Sequence, residues 1–211
     1  MVLVRSAIFL LTGLLVFSGS ALAQSAVQDC PVDLVNGLTL DDEFGAGASS
    51  ATRCAEFRRN VKVVIQVNTF CGDAACSKAY AMGNIKNMIK DFEITNGMSK
   101  EDYEIVAVVH SGGGALVLQD GYTFNDSVKG EVTISNQFHK DVEDLIAKGV
   151  KFYFCQNTTR GMIKKGLLPD VSESANGGGA TEALIPGVQY TTAGVTAISD
   201  FQRMGYNYVQ P

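Results

Sequence analysis

The sequence predicts an α/β protein, a three-layer sandwich with a mainly parallel sheet of about five strands. Two observations support this fold class. Runs of β-branched and other apolar residues, at 61–67 and 103–110, are typical of strands buried on both faces. Segments with apolar residues at helical spacing lie between such runs, and this alternation favours parallel strands joined by helices.

The first strand and helix are expected between residues 61 and 97. VKVVIQV at 61–67 is nearly continuous in β-branched residues, which favours a strand. A helix is expected over 77–97, where Asn96 and Gly97 provide its stop. Its apolar residues recur at helical spacing: Ala81, Ile85, Met88, Ile89 and Phe92.

The rest of the chain repeats this alternation. YEIVAVVH at 103–110 predicts a second strand, and SGGGALVLQ at 111–119 predicts a sharp turn followed by a short helix. The later elements are a helix over 135–149, a strand over 150–155, a short helix over 157–166 capped by Asn157 or Thr158, a strand and turn over 187–194, a helix over 195–205 and a terminal strand over 206–210.

Three segments make up the chain. Residues 1–23 have an apolar run followed by Ala21-Leu22-Ala23, which predicts a secretory signal peptide cleaved after Ala23. Residues 24–60 form an N-terminal extension without a clear period, and 61–211 form the domain. Within the domain, the glycine-rich segment at 171–186 is expected to be a surface loop.

Charge and hydropathy exclude several partner classes. The net charge is −5 and basic residues form no stripe, which disfavours nucleic-acid binding. No later segment resembles a membrane span, so the mature protein is expected to be free of the membrane. The compact signal peptide predicts export to the bacterial periplasm, which is an oxidising compartment.

The chain has five cysteines, an odd number. The most economical pairing joins Cys30 to Cys54 and Cys71 to Cys76 and leaves Cys155 free. The spacing alone does not fix this connectivity. A structural role is the leading interpretation of Cys71 and Cys76, and a thiol–disulfide exchanger is a further hypothesis for that pair.

Cys155 is the leading candidate for chemistry. It ends the strand at 150–155, and a helix is expected directly after it, so the positive end of that helix would stabilise a thiolate. Ligands of parallel sheets bind at the carboxyl ends of strands, which is where Cys155 and His110 are placed. The alternative is an inert packed thiol, because free cysteine is among the most buried residue types.

His110 precedes a glycine run that includes Gly112 and Gly113. Such glycines allow backbone N–H groups to approach an anion or a partner chain. The alternative is a histidine that binds only backbone. The run lacks the lysine of a phosphate loop. No cysteine or histidine spacing indicates a metal site, and nothing indicates a cofactor.

Several ordered segments resemble the DsrE/DsrF-like family of small sulfur-relay proteins. They are KVVIQV, NIKNMIKD, EIVAVVHSGGGALVL, LIAKGVKFYFCQNT and GVTAISDFQRMGYNYVQP, and together they cover about residues 61 to 211. The resemblance implies an α/β fold and assembly into oligomers, often trimers or hexamers. It also implies that Cys155, in the family's C-x-N-T position, carries sulfur as a persulfide, with His110, Asn157 and Thr158 as neighbours.

Two functions follow from these observations. The first is a periplasmic sulfur carrier or sulfurtransferase that exchanges sulfur with a donor or acceptor protein. The second is a non-catalytic oligomeric module that binds a small ligand at the loops after residues 110 and 155. The chain departs from the relay proteins in its predicted export, its four additional cysteines and its insertion at 171–186.

Overall fold

The computed structural model describes residues 60–95, 98–170 and 179–211. These ranges contain seven strands and four α-helices. The strands are β1 (Val61–Val67), β2 (Tyr103–Val109), β3 (Thr123–Asp126), β4 (Gly130–Thr133), β5 (Lys151–Cys155), β6 (Gln189–Thr191) and β7 (Asn207–Val209). The helices are α1 (Tyr80–Lys90), α2 (His139–Ala147), α3 (Gln156–Lys164) and α4 (Gly194–Arg203).

Five strands form one sheet in the order β6-β5-β2-β1-β7. Every neighbouring pair in this sheet is parallel. The predicted α/β fold with a mainly parallel sheet of about five strands is therefore confirmed. Because the strands are parallel, the carboxyl ends of β1, β2, β5 and β6 all lie at the same end of the sheet. The loops and helices that follow these strands begin there.

The two faces of the sheet are covered by different helices, which gives the three layers. On the first face, alternate side chains of the strands, such as Ile65 and Phe152, pack with Ile85 of α1 and Leu145 of α2. On the second face, the intervening side chains of the central strands pack against α4. Residues buried in that second cluster are Val64, Val106, Val108, Ala197, Ile198 and Tyr206. Both faces of the central strands are buried, and this explains why their sequences are apolar at consecutive positions.

Helix α1 is shorter than predicted. It begins at Tyr80 rather than at residue 77, and it continues as a π-helical turn over Asp91–Thr95. The side chain of Ser77 instead binds Asp73, whose carboxylate also accepts the N–H of Ser77 at 2.9 Å. Such local side-chain bonds compete with helical ones, which delays the start of the helix.

A hairpin of β3 and β4 was not predicted. Its first strand alternates exposed and half-buried residues, its second is mostly exposed, and both carry few apolar residues, so the sequence shows no clear period there. A turn joins them, in which one carboxylate oxygen of Asp126 accepts the N–H groups of Val128 and Lys129, at 3.1 and 2.8 Å. Gly130 follows with a φ of 77°, a conformation that favours glycine.

The prediction of a surface loop over 171–186 is wrong for its last part. Ala183, Leu184 and Ile185 are buried, and the N–H of Ile185 donates to the carbonyl of Val117 at 2.9 Å. The short apolar run therefore belongs to the core. Residues 171–178 lie outside the described ranges, as do the predicted signal peptide at 1–23 and the extension at 24–60 apart from Asn60.

No helix within the described ranges has the length and apolar character that a membrane span requires.

Candidate functional site

Cys155 lies where two helices begin. It is the last residue of β5 and the residue that caps the N-terminus of α3. Its Sγ accepts a hydrogen bond of 3.2 Å from the backbone N–H of Gly194, the first residue of α4. The positive ends of both helix dipoles are therefore close to one sulfur atom. The predicted caps Asn157 and Thr158 are wrong, because the chain turns into the helix one residue earlier, at Gln156.

The surroundings of Cys155 favour its thiolate. Burial raises the pKa of the thiol. Hydrogen bonds lower that pKa by a larger amount, and they come from the backbone N–H groups of Thr158, Gly194 and Asn157 and from the Thr158 side chain. The net effect is a pKa below the ordinary value for cysteine. Cys155 forms no disulfide with any residue in the described ranges.

Access to the sulfur is restricted. Cys155 is only 5% exposed. A reagent or donor can reach the sulfur only when its surroundings open, so the lowered pKa and the low exposure act in opposite directions on its reactivity.

Thr158 and Thr159 hold the first turn of α3 in place around the cysteine. The N–H of Ser111 donates to Oγ1 of Thr158 at 2.9 Å, which links the loop after β2 to the helix. Oγ1 of Thr159 donates to the carbonyl of Cys155 at 3.1 Å. The side chain of Asn157 points to another partner, because its Oδ1 accepts a bond of 2.7 Å from Arg160. Only its backbone N–H serves the sulfur.

His110 directly follows β2 and is buried. The amide nitrogen of Gln66 faces Nε2 of His110, at 2.7 Å, and its Oε1 faces the hydroxyl of Tyr208. An amide nitrogen only donates, so Nε2 must accept and Nδ1 must carry the proton. Nδ1 then donates to Oγ of Ser111 at 2.9 Å. Burial lowers the pKa of His110, which agrees with this neutral form.

Gly194 brings His110 and Cys155 together. A Cβ atom at residue 194 would lie 2.9 Å from Cβ of His110, a separation that real Cβ atoms do not adopt. The N–H of the same glycine binds the sulfur. The structure thus places His110 next to the second helix start, where it packs against the residue that contacts Cys155.

Gly112 and Gly113 have a packing role in the structure. A Cβ atom on Gly112 would lie 2.9 Å from the carbonyl oxygen of Asn68, and one on Gly113 would lie 2.5 Å from that of Val67. These glycines allow the 3-10 helix over Ser111–Val117 to lie directly on the backbone at the end of β1. Their predicted role in binding a ligand stays a prediction.

Sequence reasoning missed Gly194 and the second helix N-terminus. The segment TTAG at 191–194 reads as a turn, and the predicted helix begins one residue later. A glycine directly before a helical pattern was the one available signal of this helix start. Its closeness to Cys155 arises only in the fold, where β5 and β6 are neighbours and Cys155 pairs with Thr191.

The other cysteines are paired with each other or lie outside the described ranges. Cys71 and Cys76 form a disulfide with their Cα atoms 4.7 Å apart. Nε2 of Gln137 donates to the carbonyl of Cys76 at 2.6 Å, which anchors the loop. Cys30 and Cys54 are not among the described residues, so their predicted pairing stays a prediction.

The described residues offer no group of three or more histidine, cysteine, aspartate or glutamate side chains that could hold a metal ion.

Comparison with known proteins gives limited information. No family model and no curated protein matches the chain. A solved structure described as a protein of unknown function, MTH1491 from Methanobacterium thermoautotrophicum, is similar with 22% identity and a TM-score of 0.48. The match covers 72% of this chain and 100% of the other. The DsrE/DsrF-like resemblance therefore stays a prediction from the sequence.

Proposed function

We propose that this protein carries sulfane sulfur as a persulfide on Cys155. The observation that supports this most directly is the sulfur atom itself, which is unbridged among the described residues, accepts the first N–H of α4 and belongs to the N-cap residue of α3. Both helix N-termini favour an anionic sulfur, and the thiolate is the form that reacts with sulfane sulfur.

The transfer needs no external oxidant or reductant. The Cys155 thiolate attacks the outer sulfur of a donor hydropersulfide, R–S–SH, and a new S–S bond forms. The S–S bond of the donor breaks, and its electron pair leaves with the inner sulfur as R–S⁻. The outer sulfur keeps its proton, so the product is Cys155–S–SH. An acceptor thiolate then repeats the same exchange and regenerates the Cys155 thiolate.

The sequence supports the cellular setting of this proposal. The predicted signal peptide at 1–23 implies that the carrier works in the periplasm. An exposed persulfide is oxidised readily in such a compartment. The 5% exposure of Cys155 would protect the persulfide, and a donor or acceptor protein would then have to open the site.

Mass spectrometry after incubation with inorganic polysulfide tests the proposal. The intact mature protein should gain the mass of one sulfur atom, and peptide mapping should place it on Cys155. Cys155→Ser should not acquire this adduct, whereas a Cys71→Ser/Cys76→Ser variant should keep it on Cys155. Absence of the adduct from wild-type protein, under both native and mildly destabilising conditions, would refute the carrier function.

A non-catalytic binding module is the second candidate, and the burial of Cys155 is the observation that favours it. Reaction with a thiol reagent separates the two functions. A carrier should be labelled at Cys155 in the folded state, at a rate faster than global unfolding. A module with a merely packed cysteine should be labelled only as fast as it unfolds.

We further propose that the protein forms a homo-oligomer, as the resemblance implies. Val195 in the first turn of α4 and Met204 directly after it are 70% and 62% exposed, and an oligomer interface on this side would remove both apolar side chains from water. Sedimentation velocity of the mature protein tests this proposal. A species with the mass of a monomer at all concentrations would contradict it.

A further inference from the structure

The disulfide between Cys71 and Cys76 lies in the segment between β1 and α1, and its two residues are five positions apart. A structural bridge is the ordinary role of such a bond, but closing so short a loop contributes less stability than closing a long one. The N–H of Gly72 also donates to the carbonyl of Lys78 at 2.8 Å, which closes nearly the same span of chain. The disulfide therefore adds little that the loop does not already have.

The disulfide lies within reach of small molecules. Both of its cysteines are half-buried, in contrast to Cys155. Three of the four residues between them are small and exposed, namely Gly72, Ala74 and Ala75. The fourth, Asp73, turns its carboxylate towards Ser77. Exposed disulfides of this kind are the ones that exchange readily with thiols.

Gln137 contacts the sulfur of Cys76. Its Nε2 lies 3.5 Å from Sγ of Cys76 and donates to the carbonyl of the same residue at 2.6 Å. A side-chain amide has two N–H donors, so one is available for each acceptor. A hydrogen bond to the sulfur favours its thiolate and makes it a better leaving group. Cys76 is therefore the sulfur that leaves when a thiol cleaves the disulfide, and Cys71 is the sulfur attacked.

The backbone of Cys76 carries strain. Its φ is 53°, a left-handed conformation that residues with a side chain rarely adopt. The disulfide and a hydrogen bond of 3.1 Å from the N–H of Cys76 to the carbonyl of Asp73 hold it there. Cleavage of the disulfide removes one of these restraints and allows the residue to relax, which favours reduction.

We propose that Cys71 and Cys76 form a redox-active pair that exchanges with a small thiol compound. The thiolate of that compound attacks Sγ of Cys71, and a mixed disulfide forms. The Cys71–Cys76 bond breaks, and its electron pair stays on Sγ of Cys76, where Gln137 binds it. A second thiolate attacks the mixed disulfide, releases the oxidised compound and leaves Cys71 as a thiolate. The pair is reduced and two thiols are oxidised. No step involves Cys155, so this inference is independent of the proposed function.

Reduction of the mature protein by excess glutathione tests the inference, with alkylation and mass spectrometry as the readout. Trypsin releases residues 63–78 as one peptide that holds both cysteines, so the state of this pair is read apart from that of the other cysteines. The pair should be reduced at least about tenfold faster than the protein unfolds. Samples quenched early with acid should carry glutathione on Cys71 and not on Cys76.

Gln137→Met should slow this reduction by about three- to tenfold. A hydrogen bond to an anion shifts an equilibrium by about tenfold or more, but the leaving sulfur carries only part of its charge in the transition state. Gln202→Met is the matched control and should react like the wild type. Gln202 is also exposed, but it lies in α4 on the second face of the sheet, whereas Cys76 packs with the core of the first face.

Three results would overturn the proposal. They are reduction only at the rate of global unfolding, glutathione found on Cys76, and equal rates for Gln137→Met and Gln202→Met. Cys155→Ser should exchange with glutathione at the wild-type rate. A wild-type protein that exchanges in this way but acquires no persulfide would contradict the carrier function alone, and one that acquires the persulfide without this exchange would contradict the redox-active pair alone.

Discussion

Replacing Gly194 with alanine tests whether the second helix N-terminus activates Cys155. The new Cβ would lie 2.9 Å from Cβ of His110 and 3.1 Å from two atoms of its ring. His110 cannot move aside easily, because hydrogen bonds of 2.7 Å to Gln66 and 2.9 Å to Ser111 hold its imidazole. The start of α4 must therefore move, and its first N–H moves away from the sulfur.

The size of the effect follows from that one hydrogen bond. Hydrogen bonds to charged groups contribute about 1.5–3 kcal/mol. Its loss should therefore lower the thiolate-to-thiol ratio at a fixed pH by between about tenfold and about a hundredfold. The pKa of the Cys155 thiol rises accordingly in Gly194→Ala, towards the ordinary value.

Carbon-13 NMR of the labelled Cys155 Cβ, recorded as a function of pH, measures this change directly. The signal reports the ionisation of the sulfur and does not depend on access of a reagent to the buried site. Gly83→Ala is the matched control, because Gly83 lies in α1 and a Cβ there meets nothing within 4 Å. A folded Gly194→Ala protein with an unchanged titration midpoint would refute the role of α4, as would an equal change in Gly83→Ala.

Three further predictions concern stability, each measured as the free energy of unfolding in denaturant. Gly113→Ala should lower the free energy of unfolding by about 1–3 kcal/mol, because its Cβ would lie 2.5 Å from the carbonyl oxygen of Val67. An unchanged free energy of unfolding would contradict this close packing. Gln66→Leu should lower the free energy of unfolding by about 1–3 kcal/mol, because Nε2 of His110 is left buried without its partner; an unchanged stability would show that the Gln66–His110 hydrogen bond does not stabilise the fold. The free energy of unfolding of the wild type, minus that of Cys155→Ser, should be greatest at pH values above the thiol pKa of the unfolded chain. It should decline as the pH falls through the lowered pKa of the folded protein. A difference that does not change with pH would contradict the claim that the fold stabilises the Cys155 thiolate.

The sheet could be predicted from the sequence because its strands carry their own signal. VKVVIQV and YEIVAVV are buried on both faces, so their apolar runs are unbroken and do not depend on distant partners. The β3–β4 hairpin and the buried residues 183–185 escaped prediction for the opposite reason. Their order comes from contacts with distant segments, such as the bond from Ile185 to Val117.

The candidate site was predictable only in part, for a related reason. The position of Cys155 at the end of a strand and the start of a helix is a local property, visible in VKFYFCQNTTRG. The roles of Gly194 and Gln66 are not local, because each acts on a residue that is 39 or 44 positions away in the chain. The expected proximity of Asn157 to Cys155 is likewise local, but the engagement of its side chain with Arg160, three residues later, was not predicted.

The convergence of two helix N-termini on one sulfur follows from the strand order. β5 and β6 are parallel neighbours, so the helices that follow them, α3 and α4, both start at the same edge of the sheet. α3 contributes Met162 and Ile163 to the core on the first face, whereas α4 packs on the second face. A side chain at the carboxyl end of β5 therefore lies between the two starts, and a cysteine there receives N–H groups from both. The same enclosure leaves Cys155 only 5% exposed, so a carrier function requires α4 or the loop before it to move. Hydrogen exchange should therefore show faster opening for the N–H of Gly194 than for the N–H of Val108 in the central strand, and equal protection of the two would leave the sulfur without a route to a donor.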